Sequence, residues 1–115
     1  MRLNTEAKRL YQSEMTAARV APSADLRWHH LERAHIVSQP DPWLHTCNHA
    51  AMLKLALAQR DRRESVGQVL RLILAAPGSF TGRYPEGNSG RVAAGLLTPM
   101  PVPADLAAGL RDAQR

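Results

Sequence analysis

Apolar positions recur at helical spacing through the first two thirds of the chain and then lose that rhythm. Residues 4–20 predict a first helix, with Asn4 as a cap and Ala7, Leu10, Tyr11, Met15 and Ala18 along one face. "APSAD" at 21–25 interrupts it, Pro22 as the stop and Ser23 or Asp25 as the next cap. A second helix is expected from about Leu26 to Ser38, ended by "QPDPW", in which Asp41 followed by Pro42 reads as a fresh helix start. The third helix then spans 42–59 and the fourth 62–76, the latter with Val66, Val69, Leu70, Ile73 and Leu74 as its apolar set.

Connections this short make neighbouring helices antiparallel. The expected fold is all-α: two helical hairpins, first with second and third with fourth, in a four-helix or tetratricopeptide-like arrangement. A loose internal repeat agrees with it. "DLRWHHLERAHIV" at 25–37 and "DRRESVGQVLRLIL" at 61–74 both open on Asp, 36 residues apart. From residue 77 the chain turns to Gly, Pro, Asn and Ser in "PGSFTGRYPEGNSGR", then to "TPMPVPADLAAGL" with a short helix near 104–110. This tail is expected to pack back over the helices through Met100 and Val102, or else to act as a lid or a strap for a partner.

Length and composition narrow the picture further. At 115 residues the chain suits one domain. Aromatics make up only 4%, so the core must be built from aliphatic residues and Met, a composition that favours helices. No apolar run reaches membrane-spanning length, and "MRLNTEAKRLYQSE" is too polar for a signal segment. One cysteine, Cys47, excludes an internal disulfide and fits a reducing cytoplasm. The net charge of +5 comes from scattered arginines, which argues against nucleic acid as the partner and leaves a metal ion or a protein.

All five histidines lie between residues 29 and 49. On the second helix Leu31 and Ala34 centre the apolar face, His30 and His35 flank it, Glu32 lies on the His35 edge, and His29 points to solvent. On the third helix His45 and His49 stand one turn apart on the face of Met52, Leu53, Ala56 and Leu57, with Cys47 nearly opposite. Folding the hairpin about Pro40 brings His35 toward His45, and Glu32 and His30 toward His49. Glu14 of the first helix can join at the level of His30. Imidazoles and carboxylates converging between helices are how bundles build transition-metal sites. The candidate ligands are therefore His35, His45, His49, Glu32, His30 and Glu14. Zn²⁺ is preferred, with Fe, Ni or Cu as alternatives, and Cu(I) is disfavoured because Cys47 points away. Two other readings stay open: histidines that serve packing alone, and a metal-free acid–base site.

"HLERAHIVSQ", the two histidines of the next helix, "QRD…E..GQ..R" from Gln59 through Glu64 and Gln68 to Arg71, "PEGNSG" and "PMPVPADLA" together resemble a bacterial family of small proteins, domain of unknown function 3703. The resemblance runs from about Glu14 to Leu106, at His30, Glu32, His35, Gln39, His45, His49, Gln68, Asn88, Gly90, Pro99 and Pro101. It implies an association with heavy-metal resistance and efflux, but no established activity. "RVAAGLLT" at 91–98 departs from the family's more polar and aromatic pattern. Three functions are compatible with all this. One is a metal sensor, buffer or chaperone. The second is an enzyme with non-haem iron or hydrolytic zinc, for which "GNSG" could border a pocket but reads better as a turn. The third is a metal-free helical adaptor.

Overall fold

The computed structural model describes residues 3–80, 86–92 and 99–113, and among these every secondary-structure element is an α-helix, with irregular chain at 86–91 and 99–103. Helices α1 (Thr5–Val20), α2 (Ala24–Ser38), α3 (Pro42–Ala58), α4 (Arg62–Phe80) and α5 (Ala104–Ala113) follow one another. No helix among the described residues is long and apolar enough to cross a membrane.

The starts are set by side-chain caps. Asn4 Oδ1 accepts from Ala7 N at 2.9 Å, and Ser23 Oγ from Leu26 N at 3.2 Å. Ser23, not Asp25, is thus the cap, and α2 begins two residues before Leu26. Asp41 Oδ1 accepts from both Trp43 N and Leu44 N, with Pro42 supplying a helical φ in the first turn. Asp61 Oδ1 does the same for Glu64 N. The expected stop before Pro77 is corrected: α4 continues through it to Phe80. A proline this close to the end removes a single hydrogen bond of the last turn, which the helix survives.

Helix α1 packs chiefly on α2, α3 on α4, and α2 against α3, while α5 lies on α1 and α2. One core cluster holds Ala7, Tyr11, Ala34, Ile36, Val37 and Leu106, and a second holds Ala18, Trp28, Leu31, Met52 and Ala56. Leu106 brings α5 into the first cluster, where Val102 also packs, and Arg33 of α2 clasps Asp105 from outside. Met100, in contrast to expectation, is 37% exposed. Its backbone N–H is engaged with Glu86 O at 3.0 Å, so the chain is held there by its main chain.

The largest departure from the sequence reading concerns which face of α4 is inside. Val66, Val69, Leu70 and Ile73 were expected to be buried, yet they are 62, 43, 49 and 62% exposed. Glu64, Gln68 and Arg71 face inward instead, at 4, 0 and 6%. Buried polar groups are tolerated only when partnered, and these three find their partners at the site described next. Of the expected apolar set, the Leu74 side chain lies outside the described residues.

Candidate metal centre

His35 sits in the last turn of α2, and His45 and His49 in the first two turns of α3. The link between the helices is short and braced: Asp41 N–H donates to Ser38 O at 2.8 Å, and Ser38 Oγ to His35 O at 3.1 Å. Asn48, fully buried, donates from Nδ2 to Leu31 O at 2.9 Å and fixes α3 against α2. The i,i+4 spacing then puts His45 and His49 on the face that meets His35.

The three Nε2 atoms converge. His35 to His49 is 3.1 Å, His35 to His45 3.1 Å, and His45 to His49 3.0 Å. The residues are 3, 2 and 0% exposed, and they form the one group of three or more potential ligand side chains among the described residues.

The other side of two rings decides what the Nε2 atoms are. His35 Nδ1 lies 2.6 Å from Asn88 O, so Nδ1 carries the hydrogen. Gln68 Nε2 donates to Glu64 Oε2 at 2.9 Å and to Gly90 O at 2.8 Å, which orients its amide oxygen toward His49 Nδ1 at 2.6 Å. His49 Nδ1 is therefore a donor too. In the neutral state His35 Nε2 and His49 Nε2 both present lone pairs, 3.1 Å apart. Neither can donate to the other; a hydrogen on His45 Nε2, 3.1 and 3.0 Å away, serves them only as a shared donor, whereas a cation would engage all three nitrogens.

Protonation is opposed by burial. Burial, followed by the neighbouring imidazoles, lowers the pKa of His35 well below the ordinary histidine value. It pushes His45 down to about 3, aided by His49, and His49 down to about 4, partly opposed by the Gln68 hydrogen bond. The site thus holds neutral imidazoles, the metal-binding form, at neutral pH. Stability follows. Below about pH 6.5 the unfolded chain takes up protons that the folded site refuses, so the fold weakens as pH falls. We expect metal-free protein to be insensitive between pH 8 and 7. Between pH 6.5 and 4.5 it should lose up to about 1.4 kcal/mol per pH unit for each buried imidazole. Urea unfolding across that range measures it, and a flat profile would contradict the buried neutral triad.

A second layer encloses the rings. Glu64 receives Gln68 Nε2, Arg91 Nε at 2.6 Å and Val92 N at 3.1 Å, tying α4 to the 88–92 turn. Within the turn Asn88 Oδ1 accepts from Gly90 N at 2.9 Å. Arg71 closes the back, donating to Gly67 O and Arg91 O. Glu64→Gln keeps the shape but removes the charge that organises this layer. It should weaken metal affinity by about 10–100-fold, read by competition against a chromophoric chelator.

The remaining candidates stand elsewhere. His30 Nδ1 pairs with Glu14 at 2.7 Å, and Arg33 Nε reaches the same carboxylate at 2.8 Å, all on the α1 side. His30 and His35 are five residues apart, roughly 140° around the helix, so both cannot face α3. Glu32 turns toward the 88–92 turn, 3.8 Å from Arg91, and its carboxyl pKa is raised by burial. It is not part of the histidine group. Glu64, Gln68, Asn88 and Gly90 entered the sequence reading only through resemblance, and none of them as a site residue. The available signal was Glu64, Gln68 and Arg71 at i, i+4 and i+7, a helical face as regular as the apolar one beside it.

No curated protein and no solved structure matches this chain. A family model does, over residues 5–110, and it is described as "Protein of unknown function (DUF3703)".

Proposed function

The chain belongs to that family, and for it we propose a metal-binding function, as a sensor, buffer or chaperone that holds one divalent transition ion on His35, His45 and His49. One observation carries the reading. Two Nδ1–H groups are committed to Asn88 O and Gln68 Oε1, so the Nε2 lone pairs of His35 and His49 both face the space they share with His45 Nε2.

The three Nε2 atoms, 3.0–3.1 Å from one another, would hold the ion as three neutral imidazole donors grouped on one face. That facial arrangement suits Zn²⁺ better than the square-planar preference of Cu²⁺ or Ni²⁺. Nitrogen donors alone, with Cys47 outside the group, disfavour Cu(I). We read the helices as two antiparallel hairpins with the ion at their seam, in a protein of the reducing cytoplasm.

The test is elemental analysis of untagged protein purified without chelator, followed by Zn²⁺ titration. One ion per chain is expected. Protein that stays metal-free after incubation with Zn²⁺, Ni²⁺, Fe²⁺ and Cu²⁺ would leave the histidines as packing.

A further inference from the structure

On the side of the core formed by α1, α2 and α3, these helices leave a groove of about 380 Å³. Small residues create it. Ala18 of α1 and Ala51 and Ala58 of α3 line positions where longer side chains would fill the space, and Leu31 and Leu55 form its apolar walls. Ala18 and Leu31 belong to the second core cluster, against which Ala51 and Leu55 pack, so the floor is part of the core.

The rim has one sign. Arg19, Arg27 and Lys54 contribute one cation from each of the three helices, and no acidic residue lines the groove. Among the described residues none of the three enters an ion pair. Arg19 bonds Thr16 Oγ1 and Arg27 bonds Ala21 O, both neutral acceptors. The nearby acid of α1, Glu14, is already engaged by His30 and Arg33.

From this pairing of an apolar trench with an uncompensated cationic rim, we infer that the groove binds a single-tailed amphiphilic carboxylate, its chain on the alanine floor and its head among Arg19, Arg27 and Lys54. The volume lies at the small end of ligand pockets, which run from about 300 to 1,000 Å³. That limits the tail to medium length. Three cations around one anionic head supply orientation, while burial of the chain supplies most of the affinity. This inference is independent of the metal reading.

The test is a titration of ¹⁵N-labelled protein with decanoate and with decylamine, which has the same tail and the opposite charge. Decanoate should give saturable shifts centred on Ala18, Leu31, Ala51 and Leu55, with decylamine at least about tenfold weaker. Ala51→Leu, which fills the trench, should abolish binding. Arg19→Gln/Arg27→Gln/Lys54→Gln should weaken it about tenfold, as expected for three solvent-exposed charge contacts. These three residues are exposed, so the charge variant keeps its core. Equal binding of the two amphiphiles, unchanged affinity in Ala51→Leu, or no saturable shift at these residues would each overturn the inference. So would saturation by an acidic amphipathic peptide where decanoate fails.

Discussion

Zinc should raise the unfolding temperature of the wild-type protein by on the order of 10 °C, and that increment should vanish in a His45→Ala/His49→Ala variant. A ligand at a hundred times its dissociation constant stabilises a one-site protein by about 2.7 kcal/mol. In a domain of this size that corresponds to roughly 10 °C. Removing two of three converging donors leaves His35 alone, and a single imidazole cannot hold the ion against water. The metal-free variant behaves differently. It gains a cavity where two rings were, but it also loses the 3.0–3.1 Å crowding of three ring nitrogens. The signature is therefore the difference between scans with and without zinc, not the melting temperature itself. A double variant that still gained about 10 °C from zinc would place the ion elsewhere, and the paired scans would show it directly.

Gly90→Ala should damage the site with a single methyl group, because that methyl presses directly on one of its histidines. Gly90 has φ +84°, a conformation that L side chains rarely adopt. A Cβ there would stand 2.6 Å from His35 Cδ2 and 2.7 Å from Cγ, against about 3.5–4.0 Å for comfortable carbon contacts. His35 has nowhere to go. Its Nδ1–H is bonded to Asn88 O, and His45 and His49 crowd its other side. Backbone strain and overpacking together predict a loss of about 3 kcal/mol or more. Denaturant unfolding measures the loss, and zinc titration of the folded fraction should show weakened binding because His35 is pushed out of register. Wild-type stability and affinity would mean that the turn can slide off the ring at little cost.

The sequence made the helices and the convergence of His35 with His45 legible for one reason: both depend on local periodicity and on a short, proline-marked turn. Caps such as Asn4 and Asp41 act on backbone groups two or three residues away. The rotation of α4 was not legible. Its apolar stripe and its Glu64–Gln68–Arg71 stripe are equally regular, and hydrophobicity alone chooses the wrong one. What turns the helix is a set of partners distant in sequence: His49 Nδ1, Gly90 O, Arg91 and the Val92 amide. His30 and Glu14 pair with each other apart from the three histidines for a related reason. Level in a hairpin says how far along two residues meet, whereas angle about the helix axis says whether they meet at all.

Arg91 does one more thing. While Glu64 holds its Nε, its guanidinium carbon stands 3.7 Å over the ring of Trp28, which is buried and donates from Nε1 to Gln59. The chain's other tryptophan, Trp43, is 72% exposed. The two indoles therefore emit from different surroundings, one water-like and one shielded beneath a cation. Any event that loosens the 88–92 turn from α4 must also uncover Trp28. The molecule carries its own optical gauge of whether the second layer around the histidines is closed, readable in unlabelled protein as a shift and quenching of the bluer emission.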